Sequence, residues 1–106
     1  MARRYSRWRE KLVDAERRLA VGEGDVRSRL LSAYRKLRTV GEEEVPPDMK
    51  SDFVWIMHQL TKCSPEVDRD GTVYKSAIEH TMSRIKNVTG RRIAERIYSL
   101  RWRLNQ

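Results

Sequence analysis

The chain has 106 residues, a mass of 12.6 kDa and a formal net charge of +8. That is room for one domain, residues 1–106, rather than two, and no apolar run approaches the ~20 residues of a membrane span. The charged opening stretch lacks the apolar block of a signal peptide, and the single cysteine, Cys63, excludes an intramolecular disulfide and a cysteine-based zinc site, so the expectation is a soluble, cytoplasmic protein.

Five helices are predicted in chain order. Over about Arg4 to Val21, the residues Tyr5, Trp8, Leu12, Ala15 and Leu19 recur at helical spacing and define one apolar face. Gly22 and Gly24 end this segment. Asp25 is placed to accept from the first free backbone N–H groups of a second helix over about Asp25 to Val40. Its buried stripe is Val26, Leu30, Ala33, Tyr34 and Leu37, with Gly41 as the stop. Glu42 to Pro47 reads as a linker. Pro47 opens a third helix to about Lys62, with Met49, Phe53, Ile56, Met57 and Leu60 on its apolar face.

Cys63 to Gly71 reads as a loop, with turn dipeptides at Ser64-Pro65 and Asp70-Gly71. A fourth helix is predicted over about Thr72 to Lys86, with Tyr74, Ile78, Thr81, Met82 and Ile85 on one side. After a break at Asn87 to Gly90, a fifth runs from about Thr89 to Leu104 on Ile93, Ile97, Leu100 and Leu104. No segment shows the alternation of a half-buried strand. The expected fold is therefore all-α: a compact bundle of about five helices with short connections.

Motifs that carry chemistry fail on inspection. Glu66 to Ala77 has a calcium-loop outline, but its last position holds Ala77 instead of the bidentate Glu that anchors the ion. His58 and His80, the two histidines, lie on different segments in no metal-binding spacing, and both are expected to be exposed. A helix-turn-helix centred on Gly90 puts Arg91 and Arg96 where residues should be buried. No motif asks for a cofactor or a metal, and no catalytic residue is assigned.

Charge and aromatic residues carry the functional expectation. Residues 1–20 are net +4, 21–40 net +3, 41–70 net −5 and 71–106 net +6. The acidic middle could pair with the basic ends of a second copy, which favours self-association. Trp55 points away from its helix's apolar face, and Ala94, Tyr98 and Trp102 form a second stripe on the fifth helix, beside Arg91. Trp55, Gln59, Tyr98 and Trp102 are the expected contact anchors for a protein partner, since Trp, Tyr and Arg dominate interface energetics. The alternative is sequence-independent nucleic-acid binding. There Arg4, Arg7, Lys11 and Arg18 on the first helix track phosphates, helped by Arg91, Arg92, Arg96 and Arg103.

The stretch GEGDVRSRLLSAYRKLRTV, then EVPPDMKSDFVWIMHQLTK and later TGRRIAERIYSLRWRL, resembles a group of small helical bacterial proteins without a known activity. The resemblance covers most of the chain, from about Val21 onward. It implies a bacterial intracellular setting and an all-helical fold, and assigns no site residues. The leading expectation is a non-enzymatic interaction or adaptor protein; an enzyme using His58 or His80 is the weakest alternative.

Overall fold

The structure, a computed structural model, describes residues 5–104. It is all-α, with helices α1 (Ser6–Val21), α2 (Val26–Leu37), α3 (Lys50–Leu60), α4 (Ala77–Arg84) and α5 (Asn87–Arg103). A two-stranded antiparallel hairpin, β1 (Glu66–Val67) and β2 (Val73–Lys75), lies between α3 and α4. No helix among the described residues is long and apolar enough to cross a membrane.

The α1–α2 pair is the spine. Asp25 caps α2 as its position suggests, its carboxylate accepting from the N–H groups of Arg27 and Ser28. Gly24 sits at φ +83°, a region that favours glycine, so the chain reverses within four residues. The pair is clamped at both ends. Arg29 donates to the Leu19 carbonyl at 2.9 Å, and Arg7 donates to the Thr39 carbonyl at 2.7 Å. Helix α5 packs on both, α3 packs on α5, and α4 bridges α2 and α3.

The apolar stripes meet in one core. Trp8, Leu12, Ala15, Leu19, Leu30, Ala33, Leu37, Ile56, Leu60, Ile93, Ile97 and Leu100 are all buried. Trp8 and Phe53 meet edge to face, with ring centroids 5.4 Å apart. The linker contributes Val45 to the same core, and Val40 joins it from the end of α2.

Several boundaries differ from the sequence reading. The predicted fourth helix is shorter, because residues 73–75 form β2. Asp68 accepts from the N–H groups of Asp70 and Thr72, and Gly71 takes φ +82°, so the Asp-Gly turn closes a hairpin instead of opening a helix. Tyr74 is consequently exposed rather than part of a buried helical face. Helix α4 is capped by Ser76, whose hydroxyl accepts from the Glu79 N–H while the Glu79 carboxylate accepts from the Ser76 N–H.

The break before α5 falls at Ile85–Lys86, not at Asn87 to Gly90. Gly90 is buried inside α5, where a Cβ would come within 2.9 Å of Val26 Cγ1. The glycine here permits close helix approach; it does not break the helix. Helix α2 also ends earlier than expected, at Leu37, and α3 begins at Lys50 after a turn in which Met49 N–H donates to the Pro46 carbonyl.

Thr81 is the polar residue of the core among the described residues. Its hydroxyl donates to the Ala77 carbonyl at 2.7 Å and accepts from the Cys63 N–H at 2.9 Å. Thr81→Val keeps the shape but strands the Cys63 N–H. The expected cost is about 2 kcal/mol, read as a lowered urea midpoint with an unchanged slope.

Candidate interaction surface

The acidic middle of the chain does find the basic ends, but within one molecule. Asp52 on α3 accepts from Arg96 at 2.8 Å and from Arg103 at 2.7 Å, both on α5. Arg103 also donates to the Asp48 carbonyl and lies 3.6 Å from the Asp48 carboxylate. Arg7 stands 3.7 Å from Glu44. Partial burial of Asp52 opposes its ionisation, yet the hydrogen bonds from Arg103 and Arg96 outweigh it and hold its pKa below the ordinary carboxylate value. Within the chain, this latch engages Asp48 and Asp52 of the acidic middle with Arg96 and Arg103 of the basic end.

The latch redistributes the predicted site residues. Arg96 lies over the Trp55 ring at 4.3 Å, a cation–π contact, so Trp55 is half-buried beneath a guanidinium. Gln59, one turn on, is also half-buried. Arg7, Arg96 and Arg103 are held by internal acceptors. Lys11 is half-buried, Arg18 exposed, and Arg91 and Arg92 exposed near the start of α5. Arg4 lies outside the described residues. Among the described residues of the basic set, Arg7, Arg96 and Arg103 have acceptors within the chain, and Arg7 stays exposed as do Arg18, Arg91 and Arg92.

Tyr98 and Trp102 stand where their spacing puts them, on the outward side of α5, 38% and 67% exposed. At ~100° per residue the stripe opposite the Ile93–Ile97–Leu100 seam is Val88, Arg91, Glu95, Tyr98 and Trp102. All five are exposed. A groove of about 490 Å³ runs beside Trp102 between α1 and α5, lined by Glu16, Glu95, Tyr98, Ser99, Arg101 and Trp102. Glu16 is 3.3 Å from the Arg101 guanidinium. A smaller hollow of about 170 Å³ continues past Tyr98 to Leu19, Val26 and Ala94. The surface therefore offers two ring faces, an apolar floor and carboxylates at its edge. Glu16 and Glu95 were not among the residues expected from sequence. Glu95 lies three residues before Tyr98, and that spacing was the signal available.

A second polar cluster ties the hairpin to α4. Tyr74 donates to Glu66 at 2.9 Å, and Lys75 and His80 lie 3.8 and 3.5 Å from the same side chain. The tyrosine hydrogen bond lowers the Glu66 pKa, and reciprocally raises that of Tyr74. His80 Nδ1 lies 2.7 Å from the Ser64 carbonyl, and its side chain is 18% exposed. It is therefore not the free surface histidine expected, whereas His58 is exposed. No family model, no curated protein and no solved structure matches this chain.

Proposed function

We propose that this protein is a small adaptor that assembles with a protein partner through the outward face of α5. The observation that carries the reading is the exposure of Trp102, 67%, with Tyr98 one turn before it on the same stripe. Exposed large rings beside an apolar hollow mark interaction sites, and Trp and Tyr are the residues that interfaces use as anchors. The nucleic-acid reading keeps Arg18, Arg91 and Arg92 as solvent-facing cations, but Arg7, Arg96 and Arg103 spend their charge on internal acceptors.

The test is capture from native lysate at moderate salt, with and without nuclease. Tagged wild type is compared with a Tyr98→Ser/Trp102→Ser variant whose helicity is checked first. The expected result is capture that survives nuclease and drops at least about tenfold in the variant, the floor set by losing either one of the two anchors. Equal capture by both proteins would show that the α5 face is not the working surface. Nucleic acid that co-purifies, with no protein still bound after digestion, would move the function to Arg18, Arg91 and Arg92.

A further inference from the structure

We infer that the partner seated on the α5 face is a second copy of this chain, with the two α5 helices packed antiparallel about a two-fold axis. This deepens the adaptor reading and rests on it. The argument is the order of residues along the stripe. Beyond Val88, the steps from Arg91 through Glu95 and Tyr98 to Trp102 are four, three and four residues, and reversing this segment of the stripe leaves its spacing unchanged. An isologous contact needs a self-complementary surface, in which residue i meets j and j meets i.

An axis midway between Glu95 and Tyr98 meets that condition. It sets Arg91 against Trp102 of the second copy, a guanidinium over an indole face. It sets Glu95 against Tyr98 of the second copy, a carboxylate that accepts from a phenol hydroxyl. Each pair occurs twice. A parallel arrangement would instead put Arg91 on Arg91 and Glu95 on Glu95, so charge selects the antiparallel one. The groove between α1 and α5 beside Trp102 has room for the incoming Arg91 side chain; its lining holds Glu95 and the Glu16–Arg101 pair, so Glu95 is the carboxylate in it that is not already paired with Arg101.

Local neutrality matters here, because two chains of net charge +8 repel at long range. The stripe carries one cation and one anion, and at physiological salt the remaining repulsion is screened beyond ~8 Å. The 3–4 spacing is also that of helices crossing at a shallow angle with interlocking side chains.

Sedimentation equilibrium of the purified, nucleic-acid-free full chain tests the pairing. The expected mass at high concentration is twice 12.6 kDa. Trp102→Ala should weaken association at least about tenfold while leaving the unfolding temperature in place at concentrations where both proteins are monomeric, since that ring is exposed in the single chain. Register is read in a Cys63→Ser background by mild oxidation. A copy bearing Glu95→Cys mixed with one bearing Tyr98→Cys should cross-link faster than either alone. A monomer at millimolar concentration overturns the inference, and so does preferential cross-linking of Tyr98→Cys with itself. If the purified chain is monomeric while lysate capture still depends on Tyr98 and Trp102, the inference fails and the adaptor reading stands. If capture is also indifferent to those residues, both fall.

Discussion

Replacing Trp8 by alanine is expected to cost about 4 kcal/mol of folding stability. A domain of this size holds ~5–15 kcal/mol in total, so the variant sits near the edge of folding at 37 °C. Trp8 has no exposed surface, lies on the α1 seam and meets Phe53 edge to face. Truncation removes its transfer free energy and leaves a cavity between α1 and α3 that neighbouring side chains only partly fill. Trp8→Phe should cost much less. The indole Nε1 is buried without a hydrogen-bond partner among the described residues, so losing it relieves a desolvated donor and offsets part of the lost packing. Urea titration followed by circular dichroism checks both variants. A Trp8→Ala midpoint equal to that of wild type would mean that the core is not organised around this ring.

The second large effect belongs to the latch between α3 and α5. Asp52→Ala is expected to destabilise the fold by about 2 kcal/mol, because Arg96 and Arg103 together lose the carboxylate that accepts from both. The penalty is smaller than for a deeply buried ion pair, since water reaches both guanidinium groups. It corresponds to roughly 10 °C in unfolding temperature for a domain of about 100 residues. Removing Arg103 in the Asp52→Ala background should then cost less than removing it from wild type, which a double-mutant cycle measures.

The same carboxylate sets an acid dependence. Its pKa is lowered in the folded chain, so the folded state holds fewer protons than the unfolded one as acid is added. The stabilisation is complete above the unfolded aspartate value of ~3.9 and is lost as pH falls through the lowered folded value. Thermal unfolding of wild type and Asp52→Asn from about pH 6 to about pH 2 should show a gap that closes at the acid end. A gap that stays constant over that range would show that Asp52 does not hold the two arginines in its ionised form.

Helix periodicity alone identified the fold class and most of the core. The stripes of α1, α2, α3 and α5 are each a local property, read from 3.6-residue spacing, and Trp8, Leu30, Ile56 and Ile97 are buried where that spacing puts them. The outward placement of Tyr98 and Trp102 is local in the same sense: once Ile93 and Ile97 face inward, the opposite side of α5 must face outward. Asp25 as a cap follows from its own side chain and its place just ahead of the Val26–Leu37 stripe.

What the sequence left open depends on residues far apart in the chain. Nothing near Trp55 announces that Arg96 will cover it, since the two meet only when α3 packs on α5. Charge segregation along the chain was visible, but whether Asp52 pairs with its own arginines or those of a second copy is decided by that same packing. Gly90 reads as a helix breaker until α2 comes close enough to need a missing Cβ. Local spacing thus determined which faces are buried. Tertiary packing decided which charges and rings stay open to solvent, because a side chain's availability depends on what the neighbouring helix brings to it.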